Sequence, residues 1–398
     1  MSYPHGSYQT VLAQVQEHLP DLRPAQQRGL AEWVTGTLAA GSACEASVLE
    51  ALAETPTAWH AARERLRAWL YDGADRPAPC RTQVEVTACF APLLRWVLAW
   101  WQGDTLPLAL DATLDRTRHA AIVVSVLYRG TAVPIGWVVL PANVPGAWLE
   151  PLEPVLAALG PAVPPALRVV LFADRGLWSP VLWQQVRELG WHAVLRIQQH
   201  HHFAPCGQAG RPAVQWVQGP GHVWVGAGTA FTRGRRQAAT LVVVWAAGQA
   251  EPWVLLTDLA PRAVGVLWYG LRMWIEHGFR ALQSIGWQWE RTRRTDPTRV
   301  ARYWLVLAVA TLWTVAVGTR IEDAWQAGQA PAALRHPPRA RRAPARVLSV
   351  FRRGLHAVRQ QVARDRLWRR LWLAPHPWPE PPPTLQITYY EPTLTSGP

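Results

Sequence analysis

Two aspartates stand where the ends of predicted strands would bring their side chains together. Asp111 ends the hydrophobic run 106–110, and Asp174 ends the run 168–173. Strands of one sheet place their ends side by side, so the two carboxylates can meet. Glu276, on a later predicted helix, would supply a third carboxylate. Three converging carboxylates cannot all stay ionised without a cation, which predicts a metal site.

Magnesium is the cation that these ligands favour, because Mg²⁺ prefers hard oxygen donors. A pair of Mg²⁺ ions activates a water or a 3′-hydroxyl and stabilises the leaving oxygen of a phosphodiester. We therefore expect Asp111, Asp174 and Glu276 to hold two Mg²⁺ ions, which Mn²⁺ can replace. Asp115, four residues after Asp111, is a rival for the first position, and each acid taken alone is more often structural than catalytic.

The third acid belongs to a stretch, residues 269–283, that is predicted to form one helix with a polar face. At about 100° per residue, that face consists of Tyr269, Arg272, Glu276, Arg280 and Gln283. One acid among arginines, an aromatic ring and an amide is suited to handling anions. The alternative is an ordinary amphipathic helix with an exposed Arg–Glu pair.

The charge of the chain points to an anionic partner. The protein has 398 residues, 49% of them hydrophobic, and a formal net charge of +13. All 40 basic residues are arginine and Asn143 is the single asparagine, which indicates coding bias in a GC-rich genome. Such bias does not set the balance of bases over acids. The excess of basic residues therefore favours nucleic acid first and anionic membrane surfaces second.

No feature of the sequence predicts secretion or a membrane span. The four cysteines form no CxxC pair, which argues against a zinc ribbon and a disulfide scaffold. The N-terminus lacks a charged start followed by an apolar segment. The apolar run 304–318 is shorter than the roughly 20 residues needed to cross a bilayer, and it suits an internal helix. We expect a soluble cytoplasmic protein.

The order of predicted elements is that of a ribonuclease-H-like α/β fold with additions. Residues 101–198 have the order βββαβαβ, and the α/β pattern resumes over 258–320. Residues 199–257 are predicted to be a β-strand insertion that includes a basic turn at 233–236. Residues 321–398 contain a basic linker at 339–346, an amphipathic basic helix over 347–373 and a disordered proline-rich tail from Pro375.

A helical domain is expected over residues 1–100, and we predict that it binds DNA. Its third helix carries Arg63, Arg65 and Arg67. Three short helices with a basic last one are typical of a helix-turn-helix DNA reader. A plain helical bundle explains the same pattern equally well.

Three sequence blocks resemble the catalytic blocks of bacterial insertion-sequence DDE transposases. The blocks are Leu108-Ala-Leu-Asp111-Ala-Thr113, Ala173-Asp174-Arg175-Gly176 and Tyr269-x2-Arg272-x3-Glu276-x6-Gln283. The last block is similar to the Tyr-Arg-Glu-Lys signature of the insertion-sequence-four family, which also has a helical N-terminal region and a β insertion. The resemblance covers roughly residues 20 to 320.

This resemblance implies roles for single residues. Glu276 would be the last acid of the triad, and Tyr269 and Arg272 would hold the phosphates of the transposon end. Trp253 matches the position of an aromatic residue that stacks on a flipped base. A place in the hydrophobic core is the alternative for this tryptophan.

One position departs from the signature. Gln283 stands where the signature has lysine, and an amide cannot neutralise a phosphate. Arg280, one helical turn earlier on the same predicted face, is placed to take over that charge.

The activity that the resemblance implies is cut-and-paste DNA transposition. The enzyme would nick the element's ends, form a hairpin by attack of the freed 3′-hydroxyl, open it and join the end to target DNA. Its partners would be terminal inverted repeats, target DNA and a second subunit, because two ends must be brought together. Two alternatives remain: a structure-specific ribonuclease-H-like nuclease, and a decayed or repurposed copy that only binds DNA, which Gln283 favours.

Overall fold

The computed structural model describes residues 3–53, 55–71, 83–115, 118–142, 150–231, 236–327 and 349–391. The chain divides into two units. Unit 1 comprises Met1–Gly103, Ala112–Pro164 and Trp274–His376, and unit 2 comprises Asp104–Asp111, Pro165–Met273 and Pro377–Pro398. Two predicted basic segments, the turn at 233–236 and the linker containing Arg339, Arg341, Arg342 and Arg346, lie mainly or wholly outside the described residues.

Along the described chain, five α-helices precede the first strand, helices and strands alternate over residues 153–196, and three α-helices follow residue 257. The α-helices are α1 (His5–His18), α2 (Pro24–Ala40), α3 (Glu45–Leu52), α4 (Pro56–Leu70), α5 (Phe90–Trp100), α6 (Glu153–Leu159), α7 (Pro180–Glu188), α8 (Met273–Leu282), α9 (Pro297–Gln326) and α10 (Val350–Ala363). The strands are β1 (Thr105–Asp115), β2 (His119–Tyr128), β3 (Thr131–Pro141), β4 (Arg168–Ala173), β5 (His192–Arg196), β6 (His202–Pro205), β7 (Arg211–Pro212), β8 (His222–Ala230), β9 (Gln237–Trp245), β10 (Trp253–Thr257) and β11 (Gln386–Tyr390).

The arginines that suggested a DNA-reading face on α4 are ion-paired inside unit 1. Arg65 lies 2.6 Å from Glu32, a buried acid on α2. Arg63 and Arg67 lie 3.7 and 3.8 Å from Glu45 at the start of α3. Glu45 also pairs with Arg294, so these acids do not match the arginines one for one. DNA binding by residues 1–100 stays a prediction.

Helix α9 is the buried centre of unit 1. The Asp296 carboxylate caps its first turn by accepting a hydrogen bond from the Arg299 backbone N–H at 2.9 Å. Within the described part of the chain it is the one helix long and apolar enough to cross a membrane, yet 94% of its apolar window is buried inside the protein. The prediction of an internal helix at 304–318 is therefore confirmed, and burial in the core accounts for the apolar composition.

Parallel strand pairing organises unit 2. β4 pairs in parallel with β1 on one side and with β5 on the other. β10 then pairs with β5, and β9, β8 and β6 follow, each antiparallel to its neighbour. The last residues of β1 belong to unit 1, where the strand order is β3-β2-β1. The order β3-β2-β1-β4-β5 is that of a ribonuclease-H-like fold, so the predicted fold class is confirmed.

The predicted helix over 269–283 is wrong in its first turn. A 3-10 turn covers Trp268–Arg272, and α8 begins only at Met273. Tyr269 and Arg272 are 4% and 9% exposed, so they do not lie on a solvent-facing helix surface. In a 3-10 turn, side chains three residues apart lie in line, which brings these two onto one side.

The C-terminal region differs from its prediction in two respects. Helix α10 occupies only the middle of the predicted 347–373 helix. The tail expected to be disordered packs within unit 2: the Trp378 ring lies 4.7 Å from that of Trp268, and β11 pairs in parallel with β8. Aromatic and β-branched residues in β11 favour a strand, and the edge of β8 supplies hydrogen-bond partners that a local sequence pattern does not reveal.

Two glycines allow α9 and α10 to touch through their backbones. A Cβ atom on Gly354 would overlap the carbonyl oxygen of Thr314, and one on Gly318 would overlap the carbonyl oxygen of Val350. Alanine at either position must therefore push the helices apart.

We expect Gly354→Ala to lower the free energy of unfolding by about 2 kcal/mol, because overpacking outweighs the better helix propensity of alanine. Urea unfolding followed by circular dichroism measures this change. Gly219→Ala is the control, since an added Cβ there meets no atom within 4 Å. Equal stability of the Gly354 variant and the parent protein would show that the helices are not held this closely.

Candidate active site

The point at which the pairing of β1 with β4 ends places two predicted site residues side by side in unit 2. Asp174 directly follows β4, as predicted, but the prediction that a strand ends at Asp111 is wrong: β1 continues beside β2 to Asp115, and that pairing keeps the chain extended. Leu110 is opposite Ala173 in the parallel pair, so the next residues, Asp111 and Asp174, lie at the same edge of the sheet. The Asp111 side chain is 16% exposed and that of Asp174 is 34% exposed. Both carboxylates are thus accessible at the end of an otherwise buried strand pair.

A single guanidinium nitrogen faces both aspartates. The Nη2 atom of Arg272 lies 2.7 Å from Oδ2 of Asp111 and 3.8 Å from Oδ2 of Asp174. The Arg272 side chain is 10% exposed, so these interactions are poorly screened by solvent. Arg272 balances the charge of two neighbouring carboxylates that would otherwise repel each other.

Tyr269 holds the second aspartate from another side. Its hydroxyl donates a hydrogen bond to Oδ1 of Asp174 at 3.3 Å, and the Arg175 backbone N–H donates to the same oxygen at 2.8 Å. Burial raises the pKa of the Tyr269 phenol well above its ordinary value. The group therefore remains a hydrogen-bond donor throughout the physiological pH range.

Trp253, the first residue of β10, packs on Tyr269. The ring centroids are 5.3 Å apart with an interplanar angle of 68°, an edge-to-face arrangement. The tryptophan is only half-buried. Its position combines a core contact with an accessible surface, and stacking on a flipped base stays a prediction.

Arg196 and Glu251 are part of the charge network, and sequence reasoning did not single them out. Nη1 of Arg196 lies 3.7 Å from Oδ1 of Asp174, and its Nη2 lies 2.6 Å from Oε1 of Glu251. Arg196 ends β5, the parallel neighbour of β4. The strand-end rule that selected Asp174 would have found it. Glu251 precedes β10 and carries no comparable signal.

The acid and the arginine on α8 lie in unit 1. Glu276 is half-buried in the first turn of the helix, and Arg280 is exposed in its last turn. An exposed guanidinium is available to a phosphate, as predicted for Arg280. The catalytic role of Glu276 and the DNA contact of Arg280 both remain predictions.

Gln283, at the departure from the lysine signature, holds the end of β1. Its Nε2 atom donates hydrogen bonds to Oγ1 of Thr113 at 2.8 Å and to the carbonyl oxygen of Leu114 at 3.1 Å. Both partners are acceptors. The position therefore requires a donor, which an amide provides as well as an ammonium group does.

Asp115, the rival of Asp111, has a structural partner. It is 1% exposed and pairs with Arg118, whose Nη2 lies 2.9 Å from Oδ1. The same nitrogen donates to the carbonyl oxygen of Glu290 at 2.8 Å. This buried ion pair anchors the end of β1 in unit 1, and it leaves Asp111 as the better candidate for chemistry.

The pair Asp111 and Asp174 fits a divalent cation by the chemistry of its donors. Both offer carboxylate oxygens, the ligands that Mg²⁺ prefers, and both face one cation already, the Arg272 guanidinium. A cluster of three or more His, Cys, Asp or Glu residues able to hold a metal is absent from the residues that the structure describes. The fit rests on these two aspartates, with Glu276 as the expected third ligand.

Stability distinguishes the two aspartates of β1. Asp115→Asn should lower the free energy of unfolding by about 2 kcal/mol, because Arg118 then keeps a partly buried charge without its partner. Asp111→Asn should change it by less than about 1 kcal/mol, since Arg272 retains Asp174 and one of two like charges disappears. Thermal unfolding of both variants at one pH tests this order, and the reverse order would contradict the roles assigned here.

Comparison with known proteins identifies the family. A search of curated proteins finds no significant match. Among solved structures, the chain is similar to piggyBac transposase in a cryo-EM structure of its synaptic complex with hairpin DNA, with 10% sequence identity, a TM-score of 0.46, and coverage of 91% of this chain and 80% of that chain. The family model for the transposase DDE domain matches residues 103–313, more than half of the sequence. That segment contains Asp111, Asp174 and Glu276, and the chain belongs to the transposase DDE domain family.

Proposed function

We propose that this protein is a cut-and-paste DNA transposase of the insertion-sequence-four family, with Asp111, Asp174 and Glu276 as its catalytic triad. It cleaves the ends of a mobile element and joins their 3′-hydroxyls to target DNA by phosphoryl transfer. Membership of the transposase DDE domain family supports the general activity. The block over 269–283 supports the finer assignment.

One observation carries the proposal: Asp111 and Asp174 directly follow the last residue pair of two adjacent parallel strands and share one cation. A shared arginine alone is not diagnostic, since Arg129 also pairs with two acids, Glu322 and Asp323. The accessibility of Asp111 and Asp174 on adjacent strands is what favours the proposal, because it offers a divalent metal two carboxylate ligands of the kind that phosphoryl transfer uses.

DDE transposases use divalent metal ions. In this chain Asp111, Asp174 and Glu276 would hold two Mg²⁺ ions, which supply an activated water or hydroxyl and a stabilised leaving oxygen. Mn²⁺ should replace them, because it accepts the same oxygen ligands. Tyr269 and the Arg175 backbone N–H fix one oxygen of Asp174, so that its other oxygen keeps a constant direction.

DNA contacts follow from accessible groups near this site. Arg280 is exposed and would bind a phosphate of the element's end. Trp253 packs edge-to-face against Tyr269 and would stack its accessible face on a flipped base. Tyr269 and Arg272 would contact end phosphates once DNA is bound. The net charge of +13 would strengthen every contact with the DNA backbone.

A homodimer is part of the proposal, because transposition requires two element ends in one complex. Double-stranded DNA carrying terminal inverted repeats and target DNA are the other partners. Such substrates place the protein at the bacterial nucleoid in the cytoplasm.

The two alternative functions differ in their demands on DNA and on the acids. A ribonuclease-H-like nuclease would need the same aspartates but no terminal repeats. A decayed copy that only binds DNA would need neither the aspartates nor the terminal repeats. The hydrogen bonds of Gln283 give glutamine a structural use at its position, so its presence is not in itself a sign of decay.

We expect the parent protein with Mg²⁺ to cleave DNA at the element's terminal repeats, and Asp174→Asn to reduce that cleavage at least about 1000-fold. The amide keeps the shape of the side chain but removes the charge that binds the cation. Strand cleavage on denaturing gels measures the rate. Asp104→Asn, an exposed change at the opposite end of β1, is the matched control and should cleave like the parent.

Each other result selects a different function. Cleavage that ignores the terminal repeats would favour the nuclease, and DNA binding without any metal-dependent cleavage would favour the decayed copy. Equal cleavage by the parent and Asp174→Asn would remove the assignment of the site.

The lysine of the signature should be tolerated at position 283 and should strengthen DNA binding. In Gln283→Lys the ammonium can donate to both Thr113 and Leu114 and adds one positive charge. We expect affinity for terminal-repeat DNA to rise several-fold, with the slope of log K against log salt steeper by roughly one. Fluorescence anisotropy at several salt concentrations measures both quantities. Gln283→Met, of similar length but without a donor, is the control, and an unchanged salt slope for lysine would show that this position does not meet a phosphate.

A further inference from the structure

We propose that Arg272 is a built-in counter-ion that a divalent cation must displace from Asp111 and Asp174. The inference rests on the proposed metal-dependent function of these aspartates. Its starting point is geometric: one nitrogen, Nη2 of Arg272, faces the Oδ2 atoms of both acids, at 2.7 and 3.8 Å. That point between the two oxygens is where a metal ion shared by the aspartates would bind.

The guanidinium and a metal ion exclude each other at this point. Both are positive, and at distances of 3 to 4 Å in a poorly solvated site like charges repel strongly. Without a metal, the arginine offsets the electrostatic repulsion between the two adjacent carboxylates. A divalent cation would do the same with twice the charge. Binding is therefore an exchange of one cation for another, and the arginine weakens the apparent metal affinity.

Asp174 does not depend on Arg272 for its orientation. Its Oδ1 atom is held by the Tyr269 hydroxyl at 3.3 Å and by the Arg175 backbone N–H at 2.8 Å. These two donors use the oxygen that does not face Arg272. The guanidinium can leave while the carboxylate keeps Oδ2 directed at the incoming cation.

The place of Arg272 in the chain also suits a side chain that moves. It is the last residue of the 3-10 turn, and Met273, which opens α8, is 46% exposed. The exchange requires the guanidinium to swing outward by rotation about the side-chain bonds, between staggered rotamers of the arginine. Metal loading would then free a positive group beside the cleavage site, where the DNA phosphates are expected.

Arg196 offers a matched comparison on the other side of Asp174. Its Nη1 lies 3.7 Å from Oδ1 of Asp174, a distance close to that of Arg272. Its Nη2, however, is held by Glu251 at 2.6 Å, and its described contacts do not include Asp111. Removing Arg196 deletes the same charge at a similar distance without opening the shared position.

Calorimetric titration of Mn²⁺ into the full-length protein without DNA tests the exchange. We expect Arg272→Gln to bind Mn²⁺ about ten-fold more tightly than the parent, Arg196→Gln to change affinity less than about three-fold, and Asp174→Asn to lose the site. Equal tightening by both arginine variants would mean that only long-range charge is at work and would overturn the exchange. Unchanged or weaker binding by Arg272→Gln would overturn it as well.

The same titration separates this inference from the proposed function. If Mn²⁺ binding to the parent is absent or is insensitive to Asp174→Asn, the metal site itself is wrong, and both the proposed function and the cation exchange are contradicted. If binding is lost in Asp174→Asn but Arg272→Gln matches Arg196→Gln, only the exchange fails.

Thermal unfolding supplies a second readout that needs no activity. Without metal, Arg272→Gln should unfold at a lower temperature than the parent, and either Mg²⁺ or the added change Asp111→Asn should restore the midpoint. If Arg272 only fills space, removing an acid would not restore the unfolding midpoint of Arg272→Gln. Failure of both Mg²⁺ and Asp111→Asn to restore it therefore contradicts the proposal.

If Arg272→Gln does not fold, Arg272→Lys takes its place in the Mn²⁺ titration. The lysine ammonium lacks the planar fork of arginine, so Mn²⁺ should bind this variant at least about three-fold more tightly than it binds the parent. Unchanged binding would overturn the exchange.

Discussion

The charge balance where the pairing of β1 with β4 ends is the constraint on which the rest of the site depends. Parallel pairing sets Leu110 opposite Ala173 and so forces Asp111 and Asp174 to be neighbours. Two adjacent carboxylates need a cation, and the 3-10 turn at Trp268–Arg272 delivers one. The tighter winding of that turn also aligns Tyr269 with Arg272, so a phenol and a guanidinium reach the same pair of acids.

Strand β1 carries both the candidate site residue Asp111 and, nearer its end, two residues that anchor the strand. Asp111 belongs to unit 2, whereas Thr113 and Asp115 belong to unit 1. In a strand, residues two apart lie on the same face, so Thr113 and Asp115, which anchor the strand, share one side. Gln283 holds Thr113, and Arg118 holds Asp115. Asp115 therefore looked like a rival of Asp111 in the sequence, whereas its ion pair with Arg118 gives it a structural role.

The arginines show how little a residue count says about a binding surface. Arg63, Arg65 and Arg67 are paired with acids inside the helical bundle. Arg272 and Arg196 neutralise acids at the sheet edge. The net charge of the chain still favours nucleic acid as a partner, but the groups free to contact it are fewer than the composition suggests. Exposed residues such as those on α8 are the better guide to where DNA binds.

The sequence by itself determined the elements whose signal is local. Hydrophobic runs revealed β1, β4 and the buried helix α9, and their order along the chain predicted the fold. The strand-end position of Asp174 followed from the same runs, whereas β1 continues past Asp111 to Asp115. These predictions succeed because burial of one element is encoded in its own apolar pattern.

Tertiary structure decided every feature that depends on pairing between distant segments. Arg272 and Asp111 are separated by 161 residues, and Tyr269 and Asp174 by 95. No periodicity within 269–283 distinguishes an arginine that faces solvent from one that neutralises two aspartates. The tail strand β11 finds its partner β8 in the same way, through hydrogen bonds to a remote edge. Electrostatic and edge-strand partners are set by the three-dimensional path of the chain, because each needs a complementary group that the local sequence does not contain.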